Sequence, residues 1–354
     1  MFVVTTFGES HGPAIGAVVD GCPSGIRLET AIIQRQLDRR RPGQSRLVTS
    51  RREADRVEIL SGLENDRTLG TPIGLLIRNE NTKGGDYAAF AGVPRPSHAD
   101  FTYMMKYGVV ASSGGGRASG RETAARVAAG AVAETFLADR CGVRIVAWVS
   151  AVGEIEARDM TASGLTRSEV DSNEVRCPDK NAARDMADTI LRAKTDGDSV
   201  GGIVTCVCSG VPAGWGEPVF DKLGASLGAA MLSIPAVKGF EIGSGFSAAR
   251  MRGSEHNDMF VMKKGKVLGT ATNRSGGVQG GISNGEPVVF RVAFKPTATI
   301  VMAQETADYR GKMKKLEGKG RHDPCIVPRA VPVVEAMAAI TLADAALMAR
   351  ATSR

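Results

Sequence analysis

Residues 121–139, RETAARVAAGAVAETFLAD, form an Ala-rich stretch that is apolar on most sides of a helix. Such a helix has no face to give to water, so it must lie between two other layers of structure. Three more helices are expected around it. Residues 29–38 place Ile32, Ile33, Gln36 and Leu37 at helical spacing. The runs VFDKLGASLGAAMLS and VVEAMAAITLADAALMAR each follow a proline, Pro218 and Pro332, read here as first-turn residues. Between the helices lie short β-type runs: AIGAVVDG, VEILSG, GIVTCVCSG and EPVVFRVAF. The mixture is α/β or α+β.

A weak internal repeat sharpens that expectation. GAVVDGCPSG, from Gly16, is followed by a helix and then VEILSGLEND; GIVTCVCSGVPAG, from Gly202, is followed by a helix and then FEIGSGFSAA. Two such halves would pack their helices together with sheets outside. No composition break marks a linker, so a single domain over residues 1–354 is expected, with pseudo-repeat halves of about 1–195 and 196–354.

Composition narrows the function classes. With 43% hydrophobic and 23% charged residues the chain reads as an ordinary globular protein, but 43 glycines and only 5% aromatics favour turns and backbone-lined sites. No apolar run reads as long enough to span a bilayer, and MFVVTTFGESHG lacks a signal-peptide pattern. The six cysteines are scattered without a C-x-x-C pair, which argues for reduced thiols, no metal and a cytoplasmic enzyme. The net charge of +7 is concentrated in one stretch holding Arg39, Arg40, Arg41, Arg46, Arg51, Arg52 and Arg56, and in a second holding Lys312, Lys314, Lys315, Lys319 and Arg321. Such fields attract nucleic acid or small polyanions. Nucleic acid is disfavoured because interleaved aromatics and any known RNA or DNA module are lacking.

Several segments carry site-type chemistry. FGESHG joins Ser10 and His11 between glycines, and RPSHADFTY carries His98 in a polar loop context. A histidine there can move protons at neutral pH. A Ser–His hydrolase is discounted, because adjacent Ser and His side chains seldom pair productively and no G-x-S-x-G elbow is present. His256, in GSEHND, reads as a solvated loop residue. GGGRASGRETA is a Gly-rich loop running into a helix, suited to binding an anion on unpaired N–H groups. It matches neither the Walker loop nor the dinucleotide fingerprint, so it reads only as a phosphate or flavin cradle, and a kinase or phosphate-ester hydrolase lacks its signatures. KPTAT sets a cation and two hydroxyls at a strand end, and KGRHDPC packs Arg321, His322 and Asp323 before Pro324.

Taken together with DRRRPGQSR, these segments resemble the chorismate synthase family, nearly end to end. The resemblance implies an α+β fold, a β-α-β sandwich with central helices between antiparallel sheets, assembled as a homotetramer. It implies anti-1,4-elimination of phosphate from 5-enolpyruvylshikimate 3-phosphate to give chorismate. Reduced FMN (FMNH2) is required without net redox change, and NADPH serves as reductant in some members. Partners are then the phosphorylated substrate and like subunits, with no nucleic acid and no membrane. By the same likeness His11 lies near the departing phosphate, His98 protonates the reduced flavin, and Asp323 is the carboxylate near flavin N5, with Ser10 and Ser119 in the relay. Arg117, Ala118, Ser119, Gly280 of GGIS, Lys295, Pro296, Thr297, Ala298, Thr299 and Arg321 match flavin-binding positions. Pro235 and Ala236 also match a flavin-binding position, where many members have Asn-Ala, so the asparagine's side-chain contact is not expected there. Arg39, Arg40 and Arg46 match basic positions assigned to the substrate or to the NADP phosphate. Four residues precede Thr5, fewer than usual, so a shortened first strand is expected.

Overall fold

The Ala-rich segment folds as α3 (Thr123–Cys141), ended by Gly142 in the left-handed conformation. The computed structural model describes residues 1–49, 51, 53–80, 92–109, 115–265, 267–318 and 322–352. A first sheet is built from β1 (Val3–Gly8), β2 (Ala14–Asp20), β3 (Val57–Ile59) and β4 (Ile73–Arg78), antiparallel throughout, in the order β1-β2-β4-β3. The second contains β5 (Arg144–Val152), β6 (Ile155–Glu156), β7 (Gly202–Ser209), β8 (Val237–Ile242) and β9 (Val288–Phe294), in the order β8-β9-β7-β5-β6. Leaving out β6, the two orders are the same walk: two neighbouring strands, a helix, an edge strand, and a return strand between them. The helices in those equivalent places are α1 (Thr30–Arg40) and α5 (Leu223–Leu232). Two further helices complete the larger elements, α2 (Asp100–Tyr107) and α4 (Lys180–Thr195). The strand β5 already belongs to the second sheet, so the second half of the repeat starts well before the boundary expected near residue 195. The first strand has six residues, and all of them pair with β2.

Each sheet turns one face inward. Ile73, Leu75 and Ile77 of β4, and Val288, Phe290, Val292 and Phe294 of β9, are buried at every second position, the period of a strand with one covered face. Burial of each such side chain is worth about 1.5–3 kcal/mol. Between the sheets lie α3, packed on the first, and α6 (Val327–Thr352), packed on the second; the two helices lie against each other. Small side chains make that approach close. A Cβ placed on Gly130 would sit 2.3 Å from the Cβ of Ala336 and 2.5 Å from its Cα. We therefore expect Gly130→Ala to destabilise the protein by about 1–3 kcal/mol through overpacking, although alanine is the better helix former by about 1 kcal/mol. A lower urea midpoint with unchanged slope is the result that checks it.

Both proline expectations fail. The helix after Pro218 begins only at Leu223, and Pro332 lies inside α6, which starts five residues earlier at Val327. Pro332 has no N–H for the carbonyl of Pro328. That carbonyl is instead satisfied by Arg176 Nη1 at 2.6 Å, a buried bond that lets the helix run through. Contrary to the sequence expectation, α6 is long and apolar enough to cross a bilayer by length and composition. Most of it is covered by α3 and the second sheet, and Glu335 near its middle is paired with Arg39 and Arg167.

Candidate active site

The ends of the central helices converge on one cleft with two connected lobes. The larger, about 590 Å³, and the smaller, about 220 Å³, share walls that include Arg40, His98, Ala118, Thr297, Asp323 and Arg329. The starts of α3 and α6 both reach this wall, through Thr123 and through Ile326, Arg329 and Ala330. Helix N-termini favour negative charge, and here two of them face one space. Arginines add to that field: Arg117 and Arg126 in the larger lobe, Arg51, Arg95 and Arg121 in the smaller.

Beneath the cleft a buried cluster fixes the basic groups. Asp55, itself in the left-handed region at φ 49°, binds Arg40 Nη1 at 2.8 Å and Arg121 Nη1. Arg40 also donates to the Gly120 carbonyl and Thr123 Oγ1, and Arg121 to Asn79 Oδ1. Burial works to raise the Asp55 carboxyl, but Arg40 and Arg121 outweigh it and hold it below the ordinary carboxylate range. Arg40 is shifted downward as well. Burial, with Arg329 and Arg121 nearby, lowers it to about 10 against the pull of Asp55. Both groups are ionised at neutral pH, and the cluster keeps a positive excess.

The acid–base candidates Asp323 and His98 line both lobes. Asp323 accepts from the Thr49 amide at 2.8 Å and pairs with Arg329, whose Nε donates to the Arg40 carbonyl. His98 is held at Nδ1, 2.7 Å from Asp100 and 3.0 Å from Arg95. Arg117 is anchored through Thr6 and the Gly8 carbonyl, and Ser119 caps the turn that leads into α3. Lys295, Thr297 and Ala298 line the larger lobe beside Pro235 and Ala236, and Thr299 lines the smaller. Ala236 sits at φ 70°, a conformation alanine seldom adopts. Burial and the neighbouring Lys238 lower the Lys295 ammonium.

Other residues singled out in the sequence lie elsewhere. Arg39 is committed to Glu335 and Asp171, away from the cleft, and Arg46 is exposed beside Glu174. Gly280 forms the tip of a hairpin at φ 60°, and neither it nor Pro296 lines a lobe. Ser10 is buried with its Oγ 2.9 Å from His11 Nδ1, and neither residue is part of the described wall. Their loop is nonetheless tied in, because Asn79 donates to the Glu9 and Gly12 carbonyls and accepts from Arg121. Arg321 and the first glycine of the Gly-rich loop, Gly114, lie outside the described residues.

The family model for chorismate synthase matches residues 2–347. The chain belongs to the chorismate synthase family. A chorismate synthase of Prochlorococcus marinus is 54% identical over 351 residues, covering 99% of this chain and 96% of that protein. One from Opitutus terrae is 55% identical, covering 97% and 94%. A crystal structure of chorismate synthase superposes with a TM-score of 0.77 at 32% identity, covering 98% of this chain and 92% of that one. Membership makes the chain a carbon–oxygen lyase with the helix-centred sandwich fold of the family.

The cleft and the groups that support it from behind hold more than the sequence singled out. Arg121, Arg329, Asp55 and the Arg95–Asp100 pair were all missed. Arg121 and Arg95 stood in plain view within GGGRASGRETA and RPSHADFTY. Arg329 follows KGRHDPC by one turn of α6 and carried no motif of its own.

Proposed function

We propose that this chain removes phosphate from 5-enolpyruvylshikimate 3-phosphate by anti-1,4-elimination to give chorismate, the last common step of the shikimate pathway to aromatic amino acids. The supporting observation is that GGGRASGRETA, RPSHADFTY, KPTAT and HDPC, far apart in sequence, contribute to one strongly cationic cleft. The substrate carries a phosphate and two carboxylates, and planar guanidiniums grip such groups with two parallel bonds each. Arg95, Arg121 and Arg329 of the smaller lobe are suited to neutralise and orient it. Their own carboxylate partners keep them in place before anything binds.

The larger lobe fits reduced FMN. Its walls at Ile234, Pro235, Val237 and Ala298 suit a flat ring, and Thr297 Oγ1 is buried with no hydrogen-bond partner among the described residues. Such an orphaned hydroxyl is costly unless a ligand's polar edge meets it. Lys295, Thr297, Ala118 and Arg117 would hold the cofactor there. When bound, the reduced isoalloxazine supplies electron density that balances charge developing on the substrate ring. His98 exchanges a proton through Nε2 on the cleft wall, and Asp323 accepts one at its carboxylate; Ser10 and His11 are assigned to the side of the departing phosphate. The family's homotetramer is proposed with it, as is a cytoplasmic location.

The test is anaerobic. Chorismate and inorganic phosphate are expected in equal amounts when dithionite-reduced FMN and the enolpyruvyl substrate are both present, and neither without reduced FMN. Phosphate release that persists without flavin would overturn the proposal. Repeating the assay in air with NADPH and oxidised FMN tells whether the enzyme reduces its own cofactor.

A further inference from the structure

His98 and Asp100 stand two residues apart, yet their side chains meet. Ser97 between Arg95 and His98 adopts φ 55°, a strained turn for a residue with a side chain, and α2 begins immediately afterwards at Asp100. The turn folds the segment so that Asp100 Oδ1 lies 2.7 Å from His98 Nδ1. The same carboxylate is clamped by Arg95, whose Nε donates to Oδ2 at 2.7 Å and whose Nη2 donates to Oδ1 at 2.8 Å. Its orientation is therefore set independently of the imidazole.

We infer that Asp100 is a positioning residue, which keeps the proton of His98 on Nδ1 and leaves Nε2 as the only ring nitrogen that exchanges a proton with bound molecules. This rests on the assignment of His98 to proton handling in the proposed reaction. Two neighbours compete for Nδ1. Arg95 Nη2, at 3.0 Å, would donate into its lone pair and force the Nε2–H tautomer. Asp100 is nearer, carries full negative charge, and can only accept. Burial works to raise the Asp100 carboxyl, but its bonds from Arg95 and His98 outweigh this and hold it well below the ordinary range. An ionised acceptor at that distance wins the proton. In a Ser–His–Asp triad the carboxylate fixes the imidazole in the same way, and its amide isostere leaves the ring in the wrong tautomer.

The chain has only four histidines, so their ring nitrogens can be labelled with nitrogen-15 and assigned by single His→Gln variants. Long-range proton–nitrogen correlation on the full chain, without flavin or substrate and with neutral imidazoles, reads the tautomer of His98 directly. Wild type is expected to show Nδ1–H; a predominant Nε2–H form overturns the inference whatever the variants do. In Asp100→Asn the amide can turn its NH2 toward Nδ1, and the ring is expected to change to Nε2–H. Turnover should fall about tenfold or more with KM little changed. An unchanged tautomer in a folded Asp100→Asn protein also overturns it. If the tautomer changes as expected while His98→Ala retains full activity, the positioning stands and the functional role of His98 is what fails.

Discussion

Replacing His98 by alanine lowers turnover by about a hundredfold or more, the usual contribution of a group that gives or takes a proton in the transition state. That corresponds to about 2.7 kcal/mol of barrier. The effect is expected in kcat, because His98 is one wall residue among many cationic ones and does little to hold a polyanionic substrate. Stability should change little, since Asp100 keeps its two-pronged bond to Arg95 when the imidazole is gone. Initial rates with saturating reduced FMN, together with a urea unfolding curve, separate the two effects. A rate near that of wild type would remove His98 from the mechanism.

Much of the fold was legible because its signals are local. An Ala-rich helix without a polar face demands cover on both sides, and α3 has it. The strand–turn–helix–strand repeat reads directly along the chain, and the two sheets have matching strand order. What misled was a long-range effect. Pro332 looks like a helix start because its missing N–H leaves a carbonyl unpaired, and nothing nearby in sequence reveals that Arg176 satisfies it.

The site divides along the same line. Segments that bring their own glycines or a histidine next to other polar groups announced themselves: KPTAT, the Gly-rich loop and SHAD all reach the cleft. Arg95 and Asp100 flank His98 in sequence, but their meeting depends on the turn at Ser97, which no residue pattern signals. Arg39 and Arg40 are neighbours of identical chemistry, and only the phase of α1 separates them. One side of the helix sends Arg40 to Asp55 and the cleft, and another sends Arg39 to Glu335 and Asp171. A cluster of arginines in sequence shows how much charge there is, and the helix decides where it goes.

Asp55 shows the limit most clearly, and its removal should be the most costly single change in stability. In sequence it sits in RREADR, indistinguishable from a solvated charged loop. In the structure its side chain is fully buried between Arg40 and Arg121. Asp55→Ala leaves two buried guanidiniums without their counter-charge, and breaking a buried pair in this way costs about 3–5 kcal/mol. Activity should fall with stability, because both arginines line the cleft. The pH dependence distinguishes lost charge from lost packing. A carboxyl held below its unfolded value, about 3.9, contributes fully above that pH and loses its contribution as pH falls through the depressed folded value. The stability gap between wild type and Asp55→Asn, which keeps the side chain's shape, is therefore expected to be constant from neutral pH down to about 4 and to narrow below it. A gap that stays the same into acid would mean that the ionised charge of Asp55 is not what holds the cluster together.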